Sequence, residues 1–276
     1  MTAFLAAHSK LIDQIGINAL LALSLSVSLQ AGQLALAQAA FMGIAGYVGA
    51  IGAVQRGWPL WESMLAGALA SALAAAVLAL PIGRLRGVFL AIATVGFGEI
   101  ARTVENNLPI TGGAEGLSGI PDDASTPWIY GTLIAVGCVI AAASRSKFAL
   151  AVAATREDEG AARGVGIDTA RVRFCTLTFG GLVAGLAGVL YAHANFFIAP
   201  GDFGFGRMEQ ILVACVIGGV TSSLGALVGA TLMTVLPEFI RFLADFRDVT
   251  SGAILLGIVL FAPRGIAGLW KRGGRA

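Results

Sequence analysis

The chain has 276 residues, of which 57% are hydrophobic and only 12% charged, with a formal net charge of +2. Soluble domains carry about 25% charged residues, so a soluble enzyme or a nucleic-acid-binding domain is excluded. The sequence lacks the alternating ten-residue pattern of a membrane β-barrel. What remains is an all-α, polytopic membrane helical bundle.

Asp13 and Arg56 bracket 42 residues without a charge, and further charge-free runs cover 63–83, 124–144, 174–201 and 210–237. A membrane helix needs about 20 apolar residues, so the first run holds two spans and the last holds two shorter ones. Spans are expected near 14–31, 34–54, 63–83, 87–104, 126–143, 174–195, 208–221, 224–243 and 250–262. The fourth and seventh are short or carry a charge, and a broken or re-entrant helix at either is the alternative to a full span, so the count is eight or nine. The first hydrophobic run is long and continues into a second, unlike a cleavable signal peptide. All 276 residues are read as one transmembrane domain.

Orientation follows from the positive charges. With nine spans and the N-terminus outside, Arg84, Arg86, Arg145, Lys147, Arg156, Arg163, Arg171, Arg173, Arg264, Lys271, Arg272 and Arg275 face the cytoplasm. Lys10, Arg56, Arg102, Arg207, Arg241 and Arg247 face outward. That bias is the one the positive-inside rule expects, with a cytoplasmic C-terminus. It leaves 106–127 as an external loop and 144–173 as a cytoplasmic one.

Within the outer loop, Thr111-Gly112-Gly113 to Pro121 has the look of a phosphate cradle. It lacks the terminal Gly-Lys-Ser/Thr of a P-loop and reads as a tightly turned loop. No nucleotide-binding motif, cofactor site or metal-ligand spacing is evident. Cys138, Cys175 and Cys215 all lie in apolar runs, and two histidines, His8 and His193, are poor material for a catalytic triad.

The inner loop holds a charged island, residues 154–167, in an otherwise lipid-soluble sequence. Thr155 is positioned as an N-cap, with Asp158 three residues on. Glu157, Asp158 and Glu159 then crowd a first turn, Arg163 closes the last, and Gly164 and Gly166 supply a stop. The expected element is one short exposed helix outside the membrane, on which Gly160→Leu or Glu159→Arg would alter only the helix surface. The alternative is an ordinary solvated loop.

The 38 glycines recur in small-xxx-small patterns such as Gly181 to Gly185 and Gly225 to Gly229, which let helices approach closely. Polar residues inside the spans must then face protein or water. Gln33, Gln38, Thr94, Glu99, Asn195, Glu209 and Glu238 are the candidates, with helix–helix hydrogen bonding as the competing role. For Glu99 that competitor is an intrahelical ion pair with Arg102. Gln33 and Gln38 project about 140° apart on an ideal helix, so both face one lumen only if that helix is broken. Gln38 is then the better lumen candidate, with Gln33 near an external vestibule.

Four blocks resemble the LivM-type permeases of ATP-binding-cassette (ABC) importers for branched-chain and other hydrophobic amino acids. The first runs from Ala31-Gly32-Gln33-Leu34 to Phe41, Gly43-Ile44 and Tyr47. The second is Leu85-Arg86-Gly87 with Phe89 to Thr94 and Phe97-Gly98-Glu99-Ile100, continuing into Thr111-Gly112-Gly113 and Gly116 to Pro121. The charged island is the third, and Ile217-Gly218-Gly219, Gly225, Gly229, Pro237-Glu238 and Pro263-Arg264-Gly265 form the fourth. Ala35 and Ala37 stand where the family pattern has Ser and Gly, and Asp158 where it has Asn.

The resemblance implies a multi-pass protein of a bacterial-type inner membrane, forming half of a translocation pathway. A second related permease supplies the other half, two cytosolic ATP-binding subunits drive it, and a periplasmic or extracellular solute-binding protein delivers substrate. Thr155, Arg156, Glu157, Asp158, Glu159, Ala161, Ala162 and Gly166 would couple to the ATPase. Gln33, Gln38, Thr94, Glu99 and Asn195 would belong to the pathway. Hydrolysis would lie with the partners, so the chain itself is not an enzyme. Sister systems carry urea, amides or aromatic acids. An ion-coupled secondary transporter is the alternative from another class, and it would require midplane carboxylates and internal repeats.

Overall fold

The computed structural model describes residues 9–239 apart from 84 and 221, and the side chains of 237–239 are not described. The expected span at 250–262 and the basic C-terminal segment lie outside the described residues.

Long apolar runs become helices because lipid offers no partner for an open backbone. In chain order they are α1 (Ser9–Gln30), α2 (Gln38–Arg56), α3 (Leu60–Ile82), α4 (Gly87–Asn107) and α5 (Thr126–Ala143). Then follow α6 (Lys147–Glu157), α7 (Glu159–Gly164), α8 (Thr169–Asn195), α9 (Phe205–Gly218) and α10 (Ser223–Phe239). Five of these, α1, α3, α4, α5 and α8, are long and apolar enough to cross a membrane. Two residue pairs, Leu117↔Ile198 and Ser118↔Phe197, join β1 (Leu117–Ser118) to β2 (Phe197–Ile198) in an antiparallel ladder.

α8 is the axis of the bundle, packing along α3, α2 and α1. Its small residues explain how. A Cβ at Gly185 would stand 2.7 Å from Ser71 Cβ and 3.1 Å from Ala68 Cα, and one at Gly180 would stand 2.8 Å from the Ser24 carbonyl. The Ser71 hydroxyl donates to the Gly181 carbonyl at 2.6 Å. Backbone contact of this kind replaces the hydrophobic drive that lipid cannot supply.

The contacts of the long helices define two ends. At one end Gln30 Nε2 donates to Ser223 Oγ, Arg86 pairs with Glu159, and Gly32 lies against the Arg156 backbone. At the other, Thr126 donates to Asp13, Lys10 lies over the Phe196 ring, and β1 meets β2. The 106–127 loop there is tightly turned, with positive φ at Gly112, Gly113, Gly116 and Gly119. His193 Nδ1, 3.1 Å from the Pro121 carbonyl, ties that loop to α8.

Two spans differ from the sequence expectation. The second span is not continuous from 34: residues 31–37 are non-helical and α2 begins at Gln38. α4 is unbroken over 21 residues. α9 is short, as expected of the seventh span, and starts three residues earlier: its 14 residues reach about 21 Å at 1.5 Å per residue, well short of a hydrocarbon core of about 30 Å.

Candidate functional site

The charged island is two helices, not one. Thr155 lies inside α6, buried, its hydroxyl donating to the Ala151 carbonyl at 2.7 Å. Asp158 takes the capping role instead. Its backbone turns to φ −152° and ψ 107°, and its Oδ1 accepts from the Gly160 and Ala161 amides at 2.8 and 3.0 Å. A carboxylate on orphan amides at the positive end of a helix is the stronger cap. Thr155 lost because residues 147–157 already form a helix that satisfies its neighbours.

Glu159 is not a surface residue. Its side chain is 9% exposed and one carboxylate meets three arginines: Arg173 Nη2 at 2.8 Å, Arg163 Nη2 at 2.5 Å and Arg86 Nε at 3.2 Å. Thr169 Oγ1 adds a contact at 3.2 Å. The expectation that Glu159→Arg would change only the helix surface is therefore overturned. Glu159 clamps α7 to the start of α8 and to the α3–α4 connection, pieces of chain far apart in sequence.

What α7 leaves outside is a compact patch: Glu157, Gly160, Ala161, Gly164 and Val165 are exposed, while Ala162 is buried beneath. Arg156 pairs with Glu157. Gly166 ends the turn at φ +86°, a backbone that a side chain at this position would strain.

The intramembrane candidates separate into distinct surroundings. Gln38 is fully buried at the start of α2, its Nε2 3.4 Å from Ser28 Oγ. Thr94 is fully buried, accepting from the Leu36 amide at 2.8 Å and donating to α4 carbonyls, so it pins the non-helical 31–37 segment to α4. Gln33 lies in that segment beside Ile82, Gly83, Leu85 and Arg173. That is the end bearing α6 and α7, and not the vestibule at the opposite end where it was expected. α1 has already crossed the bundle before residue 31, so the connection emerges with the charged island.

Glu99 pairs with Arg102 at 2.7 Å, as an intrahelical pair would, and both side chains are about two-fifths exposed. Glu99 also lines a cleft of about 10 Å³ between α2, α4 and α9 with Leu36, Ala40, Gly98 and Phe205. Asn195 Nδ2 donates to the Tyr191 carbonyl at 2.8 Å. Glu209 is exposed, and the side chain of Glu238 lies outside the described residues.

Sequence reasoning passed over Glu105. It is buried on α4 with no hydrogen-bond partner on either carboxylate oxygen. Its neighbours at the same end include Gly43, Phe203 and the buried hydroxyl of Tyr47. Arg207, half-buried with its Nε and Nη2 enclosed, lies over the Tyr191 ring at 4.9 Å. Near the end of the α4 pattern Glu105 resembles a solvated flanking charge, and only the packing of α2 on α4 encloses it.

A non-helical connection packed within an apolar bundle, with a charged helix clamped at one end, fits the transmembrane component of a transport system. The profile of the family described as "Branched-chain amino acid transport system / permease component" matches residues 9–262, and the chain belongs to that family. It is 29% identical over 287 residues to the high-affinity branched-chain amino acid transport system permease protein LivM of Salmonella typhimurium. The alignment to LivM of Escherichia coli has the same identity and extent. Each covers 91% of this chain and 66% of the relative, so the chain spans just under two thirds of their length. The autoinducer 2 import system permease protein LsrC of Yersinia enterocolitica is 31% identical over 176 residues, 57% of this chain and 48% of the relative. No solved structure matches the chain.

Proposed function

We propose that the chain is the permease subunit of an ABC importer and forms half of a translocation pathway for branched-chain or other hydrophobic amino acids. The observation that carries this reading is the Glu159 clamp. A helix presenting Gly160, Ala161 and Val165 outward, and bound through Glu159 to α8 and to the α3–α4 connection, can pass a push from a cytosolic ATPase to several spans at once. Packed helices move as rigid bodies when an interface shifts, so such a push alternates access across the membrane.

The end bearing α6 and α7 is then cytoplasmic. Among the described residues it holds Arg86, Arg145, Lys147, Arg156, Arg163, Arg171 and Arg173, against Lys10, Arg56, Arg102 and Arg207 at the other end, as the positive-inside rule prefers. α1 begins outside, α10 ends outside, and one further crossing at 250–262 returns the C-terminus to the cytoplasm, giving nine crossings with α9 as a short one. The cell membrane is of the bacterial inner type. Two ATP-binding subunits, a second related permease and an external solute-binding protein complete the importer.

The pathway runs beside the α2–α4–α9 cleft, where Glu99 and Arg102 are the accessible polar groups and Gly96 and Gly98 leave α4 open. In the conformation described the cleft has no room for a solute. Thr94 supports its wall by accepting from the Leu36 amide, and Gln38 ties the start of α2 to Ser28 of α1, while Gln33 and Asn195 are not among its lining residues.

Reconstitution tests the function. The chain with its second permease and ATPases should take up a branched-chain amino acid from a loaded binding protein only when ATP is supplied. Uptake by this chain alone, driven by an ion gradient, would replace this reading with a secondary transporter.

A further inference from the structure

Between the ends of α3 and α8, on the same side as α7, lies a cavity of about 540 Å³. Its walls divide by chemistry. Arg86, Arg163, Arg171 and Asp168 are its charged lining, and Ala79, Leu80 and Phe174 its apolar lining. With Arg173 behind them, four arginines face two carboxylates, Glu159 and Asp168, leaving two positive charges. Asp168 is itself occupied, since it accepts from the Arg171 amide at 3.1 Å and pairs with Arg171 Nε at 2.8 Å.

The apolar part does not end at the cavity. Leu65, Leu69, Leu73, Val77 and Leu80 are all exposed and follow one another at three- and four-residue steps along α3, which keeps them on one ridge. The ridge runs from the bilayer interior into the cavity. A small inorganic anion would use the arginines and leave the ridge idle, whereas an amphiphile would use both.

We propose that this cavity binds an anionic phospholipid, with its headgroup phosphate held by Arg86, Arg163 and Arg171 and one acyl chain lying along the α3 ridge. Basic pockets between helices at a membrane face suit such headgroups, and guanidinium groups match phosphate oxygens in geometry as well as charge. Because Arg163 belongs to α7 and Arg171 to α8, the bound headgroup would stitch the two together from outside, as Glu159 does from within. The proposal rests on the reading of the chain as a membrane-embedded permease.

The test uses the purified importer, or this chain with its permease partner, in nanodiscs of mixed dioleoylphosphatidylglycerol and dioleoylphosphatidylcholine. Lipid retained after detergent exchange is counted by mass spectrometry. Phosphatidylglycerol should be enriched. Arg171→Gln should lower that enrichment about fivefold, the contribution of one basic side chain near an anionic surface. Arg171→Lys should keep most of it, and Ala170→Trp, which intrudes on the cavity beside the arginines without removing charge, should lower it. Equal retention of both lipids, or enrichment unchanged in Arg171→Gln and Ala170→Trp, overturns the proposal. So does thermal stabilisation by inorganic phosphate equal to that by phosphatidylglycerol, which would make this a free-anion site. Loss of ATP-driven uptake with enrichment intact would count against the transport reading and leave the lipid site standing.

Discussion

Glu159 Oε2 and Arg173 Nη2 lie 2.8 Å apart, with 9% and 11% of their side chains exposed, and this pair fastens the charged α7 to the axial helix of the bundle. Arg86 and Arg163 reach the same carboxylate from more exposed positions. Exposed pairs contribute about 0–1 kcal/mol each, so the enclosed pair with Arg173 dominates. Removing one partner of a buried pair strands the other charge and costs about 3–5 kcal/mol. Glu159→Gln should therefore lower the thermal unfolding midpoint by several degrees and uncouple hydrolysis from uptake, while Glu157→Gln, on an exposed residue, should leave the midpoint in place. A normal midpoint for Glu159→Gln would show that the clamp contributes little.

Docking is best probed where the side chain faces outward and touches little. A Cβ at Gly160 would meet only Asp158 Oδ1, at 3.2 Å, and Val165 is 78% exposed. Gly160→Leu and Val165→Asp should reduce co-purification of the ATP-binding subunits without shifting the unfolding midpoint of the permease. Undiminished co-purification in both would move the docking surface away from α7.

Packing around α8 gives a third expectation. Gly185→Leu brings a side chain against Ser71 and the Ala68 backbone. Overpacking costs about 1–3 kcal/mol where neighbours can shift, and the Ala68 backbone cannot move as a side-chain tip would. The variant should lose stability in a detergent melt, and Gly185→Ala should lose less. Equal stability of Gly185→Leu and the parent would mean that α3 and α8 separate readily here.

Accessibility separates Glu99 from Gln38. In a background lacking Cys138, Cys175 and Cys215, Glu99→Cys should react with a water-soluble thiol reagent in the resting state, and Gln38→Cys should not. The reason is burial: Gln38 is fully enclosed, while Glu99 is about two-fifths exposed. Rapid labelling at 38 would show that the α1–α2 junction opens without ATP.

Glu105 offers a reversed sign. An enclosed carboxylate without a hydrogen-bond partner costs stability, and a neutral isostere relieves that cost. Glu105→Gln should hold or raise the melting midpoint. A clear fall would show that the carboxylate has a partner in the assembled importer.

The apolar helices among the described residues and their approximate ends were legible in the sequence, because lipid leaves a chain segment few options. α5 occupies the expected 126–143, and the tight turns of the 106–127 loop follow from its glycines. A charged element between spans was equally visible, since Asp158, Glu159, Arg163 and Gly164 interrupt apolar sequence. The tertiary structure alone decided which acid caps and which one clamps. Asp158 and Glu159 are neighbours of like charge, and their roles diverge only because Arg86 and Arg173, brought in by other helices, converge on Glu159. It likewise placed Gln33 beside Arg173 and enclosed Glu105 beneath α2. Hydrophobic length and capping act within a few residues and can be read along the chain. Burial and ion pairing depend on groups that meet only after the helices pack.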